Sequence, residues 1–288
     1  MSSMKIRLSH TMGYCKGVSR ALDMAQRAID EAKAEHKRVY SLGKLIHNEH
    51  VCASFAEQGL VEISSPHEQE KGVVVLRAHG ISDTTRASFE RAGYHLVDAT
   101  CPVVRYNLQR IALYGRTHTI LVVGHEGHPE SIAMQGVLVD GKPCKTLLIS
   151  SLQTVPDLKE GEQYAVFVQT TFDQNQWDAI KNALQAFDSS KVDLVFVNNV
   201  CPSSIARREA ALSLVDECDA VLVIGGKDSA NTKALVALVS NKGKRVWHIE
   251  DETEVVPDMK SCDILGITAG ASTPPSVIQQ VIARLQQE

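Results

Sequence analysis

The chain has 288 residues, enough for two domains or three small ones. With 44% apolar and 22% charged residues it has a globular composition, which argues against extended disorder. A net charge of −4 with 5% aromatics argues against a nucleic-acid binder, and no apolar run approaches the ~18 residues of a membrane span.

The N-terminal MSSMKIRLSH lacks the apolar stretch of a signal peptide, so a cytoplasmic protein is expected. Val18, Ala21, Leu22, Ala25, Ala28, Ile29 and Ala32 are apolar at helical spacing. Further on, VVVL (73–76), TILVVG (119–124), YAVFV (164–168), LVFV (194–197), AVLVIG (220–225) and DILGIT (263–268) read as buried strands. Between LVFV and AVLVIG, Ala211, Leu212, Leu214 and Val215 mark another helix. Continuous apolar strands alternating with helices predict α/β units with mainly parallel sheet.

The segments resemble one another. LVDATCPVVRY (96–106) matches FVNNVCPSSIA (196–206). A strand-end glycine, Gly124 or Gly225, follows Cys101 and Cys201 at nearly equal spacing. His128 and Ser229 each lie four residues beyond that glycine. In the first third, Cys15 opens a helix and His47 lies four residues beyond Gly43. A second polar loop closes each unit, at RAHGISD (77–83), QTTFD (169–173) and TAGAST (268–273). There His79, Thr170 and Ser272 follow Cys15, Cys101 and Cys201 at similar intervals. The expected organisation is three similar units: residues 17–100, 101–197 and 198–282, the last joined by an N-terminal strand in 1–16, with 283–288 as a tail. Ligands of open α/β sheets bind beyond the carboxyl ends of strands, so these loops are the candidate site.

Seven cysteines, an odd number spread widely along the chain, do not form a disulfide framework in a cytosolic setting. Cys15, Cys101 and Cys201 share one place between strand and helix. Pro102 and Pro202 suit the first helical position, and a helix N-terminus favours thiolate. Three such thiolates fit three corners of an iron–sulfur cluster, with the fourth iron open. Zinc with three thiolates and water, or plain core packing, are the alternatives. Cys52, Cys144, Cys218 and Cys262 are read as structural.

The polar loops hold His47, Asn48, His79, His125, His128, Glu130, Thr170, Ser229, Asn231 and Ser272. Imidazoles, hydroxyls and amides donate hydrogen bonds without large fixed charge and suit a phosphorylated ligand. There is no Walker loop and no GxGxxG. A solvated or capping role is the alternative for any one of them: Ser272 could start a helix, and Asp83 and Asp173 are read as N-caps.

GYCKGV, HN (47–48), AHG (78–80), DATCP (98–102), GHEGHPE (124–130), QTT (169–171), NVCP (199–202), GGKDSAN (225–231) and TAGAS (268–272) together resemble the 4-hydroxy-3-methylbut-2-enyl diphosphate reductases. The nine motifs run in family order through nearly the whole chain. The resemblance implies an α/β fold of three units in a trefoil around a central [4Fe–4S] cluster held by Cys15, Cys101 and Cys201. It implies diphosphate contacts from His47, His79, His128, Ser229, Asn231 and Ser272, with Glu130 as proton donor and Thr170 beside it. The allylic hydroxyl would meet the open iron and leave as water, giving isopentenyl and dimethylallyl diphosphates. A small ferredoxin or flavodoxin would supply the electrons. No nucleic-acid or membrane partner is expected. The chain departs from the family pattern at Ser131–Gln135, at Ser203–Ser204 and at Ala230. A divergent paralogue for another allylic diphosphate, or a non-catalytic sensor of cluster or diphosphate, therefore stands beside the reductase reading.

Overall fold

The structure, a computed structural model, describes residues 4–66 and 70–287. The chain starts with β1 (Lys5–Leu8) and α1 (Lys16–Ala34). Next come β2 (Arg38–Leu42), α2 (Glu49–Glu57), β3 (Leu60–Ile63), β4 (Gly72–Leu76), α3 (Asp83–Arg91) and β5 (His95–Asp98). The middle third runs α4 (Pro102–Tyr114), β6 (Thr119–Val123), α5 (Pro129–Gln135), the short β7 (Leu138–Val139) and β8 (Lys142–Pro143), β9 (Thr146–Ile149), β10 (Gln163–Val168), α6 (Gln174–Gln185) and β11 (Asp193–Phe196). The last third holds α7 (Pro202–Glu217), β12 (Ala220–Ile224), α8 (Ala230–Asn241), β13 (Arg245–Ile249), β14 (Ile264–Ala269) and α9 (Pro275–Gln286). All six strands and both helices expected from periodicity are present. Helix α9 runs into the stretch read as a tail and leaves only Gln287 beyond it among the described residues.

Three four-stranded sheets result, ordered β3-β2-β4-β5, β11-β10-β6-β9 and β1-β14-β12-β13, and every pair within them is parallel. The third is completed by β1 from the start of the chain, which pairs Lys5 to Leu8 with Ile264 to Ile267. By packing, the described residues divide into two compact units. A terminal unit is drawn from Met1–Ser19, Ile46–Ser54 and Pro202–Glu288 and contains the third sheet. A central unit, Arg20–Leu45 with Phe55–Cys201, contains the other two.

Each sheet is buried on both faces, which is why its central strands read as unbroken apolar runs. In the terminal unit Leu222 and Ile224 pack with Ile278, Val281 and Leu285 of α9. The alternate residues Val221 and Val223 face Ala211, Leu214 and Val215 of α7 and Leu235, Leu238 and Val239 of α8. In the central unit Ile120, Val122 and Phe167 pack on Ile111 of α4 and Met134 of α5. Tyr40, Leu42, Val74 and Leu76 pack on Phe89 of α3. Each such aliphatic or aromatic side chain contributes about 1.5–3 kcal/mol of burial.

The caps correct one expectation. Asp173 is the N-cap of α6, accepting the Gln176 N–H at 2.9 Å. Asp83 is not a cap: Ser82 caps α3, and the Asp83 carboxylate instead accepts the Leu138 N–H at 2.7 Å. The reason is packing. The start of α3 rests on the turn after α5, where Asp83 N–H also donates to the Gly136 carbonyl at 3.0 Å. A Cβ at position 136 would collide with the Ser82 side chain, so glycine is required there for space.

The topology puts the loops where chemistry is expected. In each sheet the strand order reverses between two central neighbours: β2 and β4, β6 and β10, β12 and β14. Loops at such switch points form the ligand crevice of open parallel sheets. His47, His79, His128, Glu130, Thr170, Ser229, Asn231 and Ser272 all lie in, or at the start of the helix after, loops that leave these six strands. The three cysteines follow the edge strands β1, β5 and β11, each beside one of the central strands.

Candidate active site

In the central unit the proposed acid is built first by burial. Glu130 is the second residue of α5 and only 1% exposed. Its Oε1 accepts the Thr170 N–H at 2.9 Å and its Oε2 accepts the Thr170 Oγ–H at 2.7 Å. Loss of water pushes its carboxyl up to about 7, although both bonds from Thr170 favour the charged form. A carboxyl that holds its proton near neutrality is matched to general acid work.

His128 is the N-cap of α5. Its Nδ1 accepts the Glu130 N–H at 3.1 Å, so in the neutral ring the proton sits on Nε2 and can be donated. The capping alternative for His128 therefore holds, and the cap itself sets the tautomer. The His79 ring stands edge-on to it, centroids 5.6 Å apart.

Gln169 is a residue that sequence reasoning passed over. It is fully buried; its Oε1 accepts the His125 N–H at 2.9 Å and the Ser131 Oγ–H at 3.4 Å, and its Nε2 donates to Thr171 Oγ at 2.9 Å. It thus joins the loop after β6 to the loop after β10, the two that bring Glu130 to Thr170. The motif QTT was visible, but nothing in it marked the glutamine as the joint. Ser131, one of the departures from the family pattern, is part of this joint and is buried. His125 contributes its backbone, and its ring lies tilted by 43° against Phe172, centroids 4.9 Å apart.

In the terminal unit the hydroxyl of Ser272 donates to the His47 carbonyl at 3.0 Å. Ser272 does not start a helix, because α9 begins at Pro275 with Pro274 as its N-cap. Ser229 is the N-cap of α8, accepting the Thr232 N–H at 3.3 Å, which leaves its hydroxyl hydrogen for a ligand. Asn231 is buried at 7% exposure and its Nδ2 has no acceptor among the described residues. A buried donor without a partner is costly unless a ligand supplies one, and an anion would. Asn48 is a cap: its Oδ1 accepts the Val51 N–H at 3.0 Å in the first turn of α2.

The cysteines fall into two groups, and none is disulfide-bonded. Cys15, Cys101 and Cys201 are half-buried, and each backbone N–H donates to a switch-point loop. Cys15 reaches Ala271 at 3.2 Å, Cys101 reaches Ala78 at 2.9 Å and Cys201 reaches Thr170 at 2.9 Å. Each cysteine thus sits beside the polar loop of its own sheet, not the one that follows it in the sequence repeat. Cys101 is the N-cap position of α4, and the Val18 N–H is aimed at Cys15 Sγ at 3.4 Å. Amide hydrogens and helix starts at the sulfur suit thiolates, so the donor set fits an iron–sulfur cluster. The others do not. Cys144 and Cys218 are buried in apolar clusters, burial pushes the thiols of both and of Cys262 up, and Cys52 Sγ donates to the Ile46 carbonyl at 3.4 Å.

Residues 6–286 match the sequence profile of the family described as LytB protein. The chain belongs to the LytB family. A 4-hydroxy-3-methylbut-2-enyl diphosphate reductase of Caldanaerobacter subterraneus is 34% identical, the alignment covering 98% of this chain and 97% of that protein. The enzyme of the same name from Treponema denticola is 32% identical over 98% of this chain and 99% of its own. Among solved structures, an E-1-hydroxy-2-methyl-but-2-enyl-4-diphosphate reductase from Plasmodium falciparum shares the fold, with a TM-score of 0.88, 22% identity and coverage of 99% of this chain and 89% of that one. A second, described as (E)-4-hydroxy-3-methyl-but-2-enyl diphosphate reductase, the terminal enzyme of the non-mevalonate pathway, gives 0.71 and 28% over 98% and 99%. This LytB-family chain is an oxidoreductase. Among its described residues, no helix is long and apolar enough to cross a membrane.

Proposed function

We propose that the chain reductively removes the hydroxyl of (E)-4-hydroxy-3-methylbut-2-enyl diphosphate. The substrate takes up two electrons and two protons and loses water, giving isopentenyl and dimethylallyl diphosphates. A [4Fe–4S] cluster held by Cys15, Cys101 and Cys201 would supply electrons and a Lewis-acidic iron for the leaving oxygen. His47, His79, His128, Ser229, Asn231 and Ser272 would bind the diphosphate. Their donors carry hydrogen bonds to the anion without a standing cluster of lysines or arginines. A small ferredoxin or flavodoxin in the cytoplasm would deliver the electrons.

The observation that carries this reading is the buried Glu130–Thr170 pair. Binding a diphosphate needs no carboxyl; a leaving hydroxide needs a proton. When Glu130 is protonated, its hydrogen can occupy the 2.7 Å contact with Thr170 Oγ, leaving the threonine hydroxyl hydrogen to be passed on. Thr170 is then a relay and Glu130 the source.

The test is anaerobic purification followed by turnover with a reduced dye. A brown protein containing iron and sulfide that consumes the hydroxylated diphosphate is the expected result. A colourless protein containing zinc, or a brown one that binds without turnover, would replace this reading by the zinc or sensor alternative. The pH profile is a separate expectation. Glu130 holds its proton below about pH 7 and loses it above. The rate of the chemical step should therefore fall on the alkaline side, by about tenfold per pH unit where that proton limits. Single-turnover rates between pH 6 and pH 9 are the measurement.

A further inference from the structure

The loop after β12 carries two of the proposed diphosphate contacts, Ser229 and Asn231, and it is held from one side by the end of β13. Gly225 takes a left-handed φ of 149°. Its N–H donates to the Ile249 carbonyl at 2.8 Å, and its carbonyl meets His248 Nε2 at 2.8 Å. A carbonyl only accepts, so that nitrogen carries the ring proton. Two residues on, the Lys227 N–H donates to Glu250 Oε1 at 2.7 Å. Between them Gly226 lies against the His47 carbonyl so closely that a Cβ would come within 2.6 Å of it. That same carbonyl accepts the Ser272 hydroxyl at 3.0 Å.

Lys227 brings an ammonium group into this loop. In the structure its Nζ pairs with Glu254 Oε2 at 2.6 Å, while Glu254 Oε1 accepts the Glu250 N–H at 3.0 Å. Carboxylates beside an anion-binding loop repel the anion, so their presence needs a structural return. Glu250 supplies one by fixing the backbone at Lys227. His248 supplies another at Gly225. Together they set the entry to α8, where the Ser229 hydroxyl stands with the Asn231 Nδ2, which has no acceptor among the described residues.

We propose that His248 and Glu250 are positioning residues for the diphosphate: they hold Gly225 and Lys227 so that Ser229, Asn231 and the N-terminus of α8 address one anion, and the Lys227 ammonium is not a ligand. The proposal rests on the diphosphate reading above. Preorganised donors spare the ligand the cost of ordering the loop, so a loosened loop weakens binding without touching the proton donor.

The experiment measures equilibrium affinity for inorganic pyrophosphate and for the hydroxylated diphosphate, with KM, kcat and the thermal midpoint, on the cluster-bearing protein. Glu250→Ala should weaken affinity and raise KM by about ten- to a hundredfold, the usual effect of a lost hydrogen bond to a charged group, with kcat nearly kept. Glu250→Gln retains an acceptor oxygen and should restore affinity to within about threefold. The charge-balanced pair Lys227→Met/Glu254→Gln should also stay within about threefold; a loss as large as that of Glu250→Ala would make the ammonium a ligand. If Glu250→Ala fails to fold, His248→Ala reads the same loop, and unchanged affinity there overturns the proposal. A wild-type protein that binds neither probe sinks the diphosphate reading itself. A wild type that binds, with Glu250→Ala binding equally well, sinks only the positioning role.

Discussion

Serine at Cys15, Cys101 or Cys201 should abolish or cripple the visible iron–sulfur absorption, while serine at Cys218 or Cys262 should leave iron content nearly unchanged. An alkoxide is a harder and poorer ligand for these irons than a thiolate, and each replacement removes one of three protein sulfurs. The first three cysteines share a local build: an edge strand before, a helix after, and an N–H bonded to the adjacent polar loop. Cys218 lies instead against Leu214, Val221 and Val239, where a serine hydroxyl would be buried among apolar groups. Its cost should appear as a lower thermal midpoint, about 1–3 kcal/mol for an unsatisfied hydroxyl, and not as lost metal. Iron and sulfide content, the absorption spectrum and the melting curve on one set of anaerobic preparations decide the matter. Iron lost from Cys218→Ser but kept by Cys101→Ser would overturn the ligand assignment.

The same contrast shows what was legible in the sequence. The runs at 119–124, 164–168 and 220–225 are central strands buried on both faces, so every position is apolar and periodicity finds them. Strands β1, β3 and β13 carry exposed or half-exposed positions at a sheet edge, and their mixed residues give no such signal. The pairing of β1 with a sheet built from the far end of the chain is non-local, so the expected N-terminal strand of the third unit rested on the three-unit organisation and not on a local pattern. In the candidate site, the residues proposed to react or to hold a metal were recognisable from motifs. Those that act by holding others were not. Gln169 and Glu250 matter because of where their partners stand, and Asp83 was misread because its acceptor role depends on a turn far along the chain, at Leu138.

Glu130→Gln should keep a full cluster and bind substrate, yet lose about 10²–10⁴-fold in the chemical step, the usual worth of a positioned general acid. Glutamine keeps the size, and its carbonyl oxygen can still accept the Thr170 N–H that Glu130 Oε1 accepts at 2.9 Å. What it cannot do is yield a proton. The stability of the variant offers an independent check. Burial raises the Glu130 carboxyl to about 7, above its unfolded value, so its contribution to stability is present at low pH and is lost as pH rises through about 7. The neutral amide has no such dependence, and the variant should gain on the wild type in thermal midpoint between pH 5 and pH 8. Thr170→Ala should cost less in rate, since it removes the relay and not the source. It also removes a hydrogen bond that favours the carboxylate, so the alkaline limb of its pH profile should move to higher pH. Single-turnover rate, iron content and melting point on the same preparations separate the outcomes. A Glu130→Gln protein turning over near the wild-type rate removes Glu130 from the mechanism, and one that loses iron makes it a structural residue.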